Sequence, residues 1–366
     1  LDSVDGAVWG ATPVRADAGT PPRILDAGCG TGVSTDYLCH LNPGAEILAV
    51  DISAGALGLA RERLHRSGGA QQVRSLRQEQ RSLLDLKDEG PFDYINSVGV
   101  LHHLRDPLAG LKALAALLDE DGLMHLFLYA NAGRWEIHRT QRALTRLGVG
   151  QDGEALRLGR ELFEVLPESN RLRRNHEQRW LIDTAADANF ADMYLHPQET
   201  SYDLKSLFAL IEASGLHFAG FSNPSVWDPA RVLSGDLLAR AQSLPIQDQW
   251  FLIEDLDTEI SHFEFFVARK PIQKRRWDDD GELLKTRGRR QSCLWGWPSV
   301  SLLGPDLEPM ALSAQEKQLL EAVDAHPEHS LGELDLGPWT ADVARALIQR
   351  RLLLPIAEAG GGRENA

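Results

Sequence analysis

The chain predicts an α/β protein: a parallel sheet covered by helices, then a helical stretch and a small C-terminal module. Three observations carry this. Short apolar runs alternate with helical periodicity from Arg23 to about Ala130. A glycine cluster follows the first of those runs, and beyond Ala130 the strand pattern stops. With 366 residues, 43% hydrophobic and 25% charged, there is room for two or three domains and a large core, which excludes a disordered or fibrous chain.

The elements follow in order. Ile24-Leu25 leads into the glycines, and Glu46 to Asp51 (EILAVD), Phe92 to Val98 (FDYINSV) and Gly122 to Ala130 (GLMHLFLYA) are further strands. Between them lie helices at Val33 to Leu41, at Ala54 to His65 behind a Ser53 cap, and at Pro107 to Leu118. In the last, Leu108, Leu111, Leu114, Leu117 and Leu118 recur every three or four residues, with Asp106 as N-cap and Pro107 at the first helical position. Residues 131–200 read as a helical insert, a lid or dimerisation surface; residues 131–180 carry ten arginines and seven acids, read as a solvated face. Residues 201–270 complete the sheet, with a helix at Ser206 to Ala213 and strands at Leu216 to Phe221 and His262 to Ala268. Residues 271–304 read as a linker, 305–357 as a winged-helix-like accessory domain, and 358–366 as a disordered tail.

Composition narrows the class. Fifty-three acids against 38 Lys plus Arg leave a net charge of −15, which repels a phosphate backbone and disfavours nucleic acid as a partner. No apolar run approaches the roughly 18 residues of a membrane span, and no signal pattern opens the chain. Three cysteines, Cys29, Cys39 and Cys293, without CxxC spacing, point to neither a disulfide framework nor a metal site, and the expectation is a cytoplasmic protein. The chain begins with Leu1, as a segment truncated upstream would.

The most informative string is Asp26-Ala27-Gly28-Cys29-Gly30-Thr31-Gly32, after a strand and before a helix. Glycines there let a ligand approach the backbone at the C-terminal end of a parallel strand, where open α/β sheets bind ligands. Asp51 closes the next strand, placed to accept from both hydroxyls of a ribose. A dinucleotide fingerprint needs a third glycine where Val33 stands, so a nicotinamide-dependent oxidoreductase is disfavoured.

The string ILDAGCGTG, the AVD that ends the second strand, SLLDL (Ser82 to Leu86) and FDYINSVGVLHHLRDP (Phe92 to Pro107) resemble, in order, the motifs of class I S-adenosyl-L-methionine (SAM)-dependent methyltransferases. The resemblance implies a Rossmann-like sheet, mostly parallel with one antiparallel strand, binding SAM and releasing S-adenosyl-L-homocysteine. It implies that Asp26, Gly28, Gly30 and Gly32 hold the methionine part, with Cys29 a small filler in the same turn. Asp51 would hold the ribose, with Ile52 beside it; Ser82 and Leu83 would lie against the adenine, and Val98 would close the site. Many relatives carry Asp near Ser82 to accept from the adenine amino group; a serine would do this more weakly, or backbone groups would do it alone. The layout also resembles, more loosely, larger bacterial methyltransferases, some of which methylate protein lysines.

Displacement at the methyl needs a nucleophile placed in line and relieved of its proton. His102 and His103, after the fourth strand, are candidates for that base, though such pairs also serve only packing. Tyr129 and Tyr202 are further pocket candidates, the latter within His196-Pro197-Gln198-Glu199-Thr200-Ser201-Tyr202. The acceptor, protein or small molecule, stays open, as does a SAM-binding scaffold without turnover; the insert makes a homodimer plausible.

Overall fold

The computed structural model describes residues 21–150, 153–272, 277–291, 294–304 and 309–356. Seven strands form one sheet in the order β3-β2-β1-β4-β5-β7-β6. They are β1 (Arg23–Ala27), β2 (Glu46–Asp51), β3 (Ser75–Gln80), β4 (Phe92–Val98), β5 (Leu118–Tyr129), β6 (His217–Phe221) and β7 (His262–Ala268). β1 to β5 run parallel, and β7 is antiparallel to both its neighbours. The reversal at β1, where the chain crosses to β4, opens the crevice in which such sheets bind ligands.

Local chemistry starts the helices where the sequence predicts. Ser53 Oγ accepts from Ala56 N–H (3.1 Å) at the head of α2 (Ala54–Ser67), which follows α1 (Val33–Leu41). Asp106 Oδ1 accepts from Ala109 N–H (3.0 Å), with Pro107 opening α3 (Pro107–Leu117). Leu111, Leu114 and Leu117 then bury the apolar stripe of α3 against one face of the sheet. Cys39 of α1 and Leu64 of α2 pack on the other face with Ile24, Ile47 and Tyr94. Each such leucine contributes roughly 1.5–3 kcal/mol relative to exposure. The expected helix end at Leu118 is corrected, since β5 begins there and reaches β4 through an irregular pairing.

The insert is helical, as expected: α4 (Trp135–Arg146), α5 (Ala155–Val165), α6 (Arg171–Asn175) and α7 (Asp187–Leu195). A strap, residues 196–202, then returns to the sheet and leads into α8 (Leu204–Ala213), started by a reciprocal Asp203–Ser206 capping box. α9 (Gly235–Gln242) and α10 (Ile246–Leu256) precede β7. No helix among the described residues is long and apolar enough to cross a membrane.

Residues 277–291 and 294–304 do not form a linker. Trp277, Leu283, Leu294 and Leu302 sit in one core with Leu319, Leu320, Leu347 and Leu353. That core joins α11 (Asp280–Leu284), β8 (Arg287–Arg290), β9 (Ser301–Leu303), β10 (Pro309–Ala311), α12 (Ala314–Ala325), α13 (Thr340–Gln349) and β11 (Leu353–Ile356). β8 pairs antiparallel with β11, so the two ends of the module close on each other. The expected tail lies outside the described residues.

Candidate functional site

The site is built at the C-terminal ends of β1, β2 and β4. Gly28 N–H and Cys29 N–H both donate to Val50 O (2.8 and 2.9 Å), stitching the glycine turn to β2. Gly30 N–H donates to Asp51 Oδ2 (2.9 Å) and Ser53 N–H to Asp51 Oδ1 (2.8 Å). The Asp51 carboxylate is therefore held by two backbone donors, and each oxygen keeps lone-pair capacity for a hydroxyl. Three glycines with positive φ shape the turn. Gly28 has φ +84°, and a Cβ there would stand 2.2 Å from a Val100 methyl. Gly30 has φ +52° and faces open space, so its backbone is free to meet a ligand. Gly32 instead lets α1 approach α2, since a Cβ would lie 2.8 Å from Ala60 Cβ.

Two expected contacts, those of Asp26 and Leu83, come out differently, while Cys29 keeps its expected place. Asp26 is buried: its Oδ2 accepts from Ser34 Oγ (2.8 Å) and Thr35 Oγ1 (2.6 Å), its Oδ1 from Asn96 Nδ2 (2.9 Å). Burial pushes its pKa up while those donors pull it down. The carboxylate braces the turn from behind and is not presented on its surface. Leu83 is buried in the main core, whereas Leu84 is half-exposed and faces outward in its place. Cys29 is turned onto Ala49 and Leu57, and burial, with Asp26 and Asp51 nearby, pushes its thiol up to about 12. It remains a filler and no nucleophile. Ser82 caps the short turn after β3, its Oγ accepting from Leu84 N–H (3.2 Å) while its own proton stays free to donate. Ile52 and Val98 are exposed, as residues that flank a bound ring would be.

The residues fit an adenosyl sulfonium: an open, positive-φ turn, a braced carboxylate beside it, and exposed apolar side chains on either side.

Behind the turn lies a chain of polar groups that sequence reasoning missed. Asn96 (β4) donates to Asp26 and receives His125 Nδ1 on its Oδ1 (2.9 Å), and His125 Nε2 meets Glu264 Oε1 (3.0 Å) on β7. The signal was there in principle, since Asn96 and His125 interrupt apolar strands and a buried polar group needs a partner.

The other half of the site stands at the ends of β4 and β5. His102 is fully buried, stacked on Tyr129 with ring centroids 3.7 Å apart, and neither of its ring nitrogens has a partner. Burial, with His103 beside it, brings its pKa down to about 3. Tyr129 packs under the Arg134 guanidinium (3.4 Å to the ring centroid), and burial pushes its phenol up to about 12. Tyr202 is a core residue, buried beside Leu204 and Leu207. Its backbone does the positioning: Tyr202 N–H donates to Tyr129 O (2.9 Å), Asn131 N–H to Tyr202 O (2.7 Å), and Thr200 N–H to His102 O (2.8 Å).

Beneath the strap, Arg134 Nε and Nη2 donate to the two Glu199 oxygens (3.0 and 2.9 Å), with His138 (3.1 Å) and Gln141 (3.3 Å) on the same carboxylate. Burial alone would push Glu199 up, but His138 and Arg134 outweigh it and hold its carboxyl near about 2. This network ties α4 to the strap. Glu199 lies in the polar stretch that the sequence singles out around Tyr202; its partners lay too far along the chain to be seen.

Comparison with known proteins gives the family. A methyltransferase domain matches residues 25–124, the stretch that carries every strand of the parallel half up to mid-β5. The chain carries a class I SAM-dependent methyltransferase domain. An uncharacterized protein of a Synechococcus strain, syc1184_c, is 48% identical over 344 residues, 91% of this chain and 81% of that protein. A ubiquinone biosynthesis O-methyltransferase of Xanthomonas campestris is 34% identical over 104 residues, but those cover 28% of this chain and 41% of the relative. The solved structure of PKMT2 from Rickettsia typhi with AdoHcy superposes at a TM-score of 0.63 with 17% identity, over 98% of this chain and 75% of that one. The likeness to PKMT2, which spans nearly the whole chain, shows a common fold.

Proposed function

We propose that this methyltransferase moves a methyl group from SAM to the side-chain amine of a protein lysine. The observation that carries the donor half is the Asp51 carboxylate locked to Gly30 beside an open turn. In this reading Gly28 and Gly30 cradle the methionine part, with Asp26 bracing from behind. Asp51 takes the ribose hydroxyls, and Ile52, Leu84, Val98 and the Ser82 hydroxyl enclose the adenine. Bound there, SAM supplies an electrophilic methyl carbon on its sulfonium.

What supports a lysine is twofold: the fold shared with PKMT2 along nearly the whole chain, and a net charge of −15 that attracts a cationic side chain. His102, held neutral, packs and orients Tyr129. His103 lines the mouth.

The test is methyl transfer from labelled SAM into a lysate, followed by acid hydrolysis. Label in methyl-lysine supports the reading. Label only in small molecules overturns the lysine and leaves the donor half standing. No label, with S-adenosyl-L-homocysteine still bound, leaves a scaffold. A second copy docking through the insert is checked by light scattering.

A further inference from the structure

Beside Tyr129, three side chains from separate segments converge. His103 comes from the loop after β4, Asp192 from α7 and His196 from the strap. One ligand atom of each lies within 4.8 Å of the other two. The His103 and His196 rings face each other with centroids 4.0 Å apart. His103 Nδ1 stands 3.2 Å from the Gln198 carbonyl oxygen, an acceptor only, so Nδ1 carries the proton and donates. That leaves the lone pair on Nε2, 3.9 Å from Asp192 Oδ1. A ring nitrogen anchored on a backbone carbonyl, with its partner free, is the outer-contact arrangement that orients metal-binding histidines.

We propose that His103, Asp192 and His196 bind a divalent transition metal ion of the zinc class. Two imidazoles and one carboxylate suit Zn²⁺ and Co²⁺. Three protein ligands leave a coordination position open, the pattern of sites that present their ion to a further ligand. Metal–ligand bonds of roughly 2.0–2.2 Å require the three atoms to draw together by about half an ångström or more. The His103 side chain is 17% exposed and that of Asp192 54%, so Asp192 can swing inward by rotation, and the ion has a path from solvent. His196 Nδ1 now accepts the Gln198 N–H at 3.2 Å. Ligation through Nε2 moves the ring proton to Nδ1 and gives up that long contact. The inference goes beyond the methyl-transfer reading and does not depend on which nucleophile is methylated.

A second trio, His326, Glu328 and His329, lies on an exposed loop of the C-terminal module. It serves as the internal control. Untagged full-length protein, stripped with chelator, is titrated with Co²⁺ alone and followed by the visible absorption of four- or five-coordinate cobalt. The expected result is one equivalent bound, displaced by Zn²⁺. H196A and D192N should each weaken binding at least tenfold, while the H326A/H329A double variant leaves it unchanged. Folding of every variant is checked by S-adenosyl-L-homocysteine binding, and H196Q stands in should H196A fail that check. A cobalt band that survives in both H196 and D192N variants, one lost only in the H326A/H329A variant, or no binding below millimolar Co²⁺ overturns the proposal.

Discussion

The two halves of the site share one sheet edge and are built in opposite ways. On the donor half, the contacts are backbone groups of neighbouring residues: Gly28, Cys29 and Gly30 against Val50 and Asp51. On the acceptor half, side chains from the β4 loop, the end of β5, α4, α7 and the strap are added to the main-chain bonds that seat the strap. A backbone cradle depends on conformation and spacing, so it tolerates change elsewhere. A side-chain wall depends on packing and charge balance among distant segments.

The largest expected effect separates the halves by breaking the buried pair. Arg134→Ala leaves Glu199 charged and under-partnered, and should cost about 3–5 kcal/mol of unfolding free energy in urea. On protein still folded, affinity for S-adenosyl-L-homocysteine should change less than about twofold, since additivity holds for distant sites. A parallel collapse of affinity would mean the halves are one unit. Acid reads the same pair. Glu199 sits near about 2 when folded, below its ordinary value, so its stabilisation is complete above that value and is lost as pH falls through about 2. The loss, about 3 kcal/mol, should be flattened in Glu199→Gln when stability is followed between pH 5 and 2.

Next comes the donor half. Gly28→Ala meets Val100 and a left-handed backbone, together worth about 2–5 kcal/mol. Calorimetry should find cofactor binding abolished, and Gly28→Ala with Val100→Ala should regain part of it. If Gly28→Ala binds normally, the cradle is not where the ligand sits. Asp51→Ala is smaller, about 1.5–3 kcal/mol of cofactor affinity, with the thermal midpoint little changed.

The smallest effect has the opposite sign. His102 buries two unpartnered ring nitrogens, so His102→Phe should be neutral or stabilise by up to about 1.5 kcal/mol. Methyl transfer surviving that change excludes His102 as a base; its loss, at unchanged stability and cofactor affinity, restores that role.

The same contrast explains what could be read from the chain. The sheet, α2, α3 and the glycine turn are local patterns, and Ser53, Asp106 and Pro107 mark helix starts by their own chemistry. β3 escaped because it is an edge strand whose exposed Arg77 pairs with Glu79 and Glu89, leaving no apolar alternation to detect. Residues 277–291 and 294–304 escaped because Trp277 and Leu283 share a core with Leu319 and Leu347, far along the chain. At the site, Asp26 was recognised but misdirected: a motif names a residue and not the side of the turn its side chain takes. Arg134, His138 and Gln141 share no spacing with Glu199 that a one-dimensional reading could use.

The strap joins the sheet through main-chain bonds to Tyr129 and Asn131 and one more to His102. Such bonds are indifferent to side-chain identity, so the segment behaves as an exchangeable cassette. Apart from the buried Glu199 and Tyr202, its residues can be rewritten to suit a new acceptor while the register on β5 is inherited unchanged.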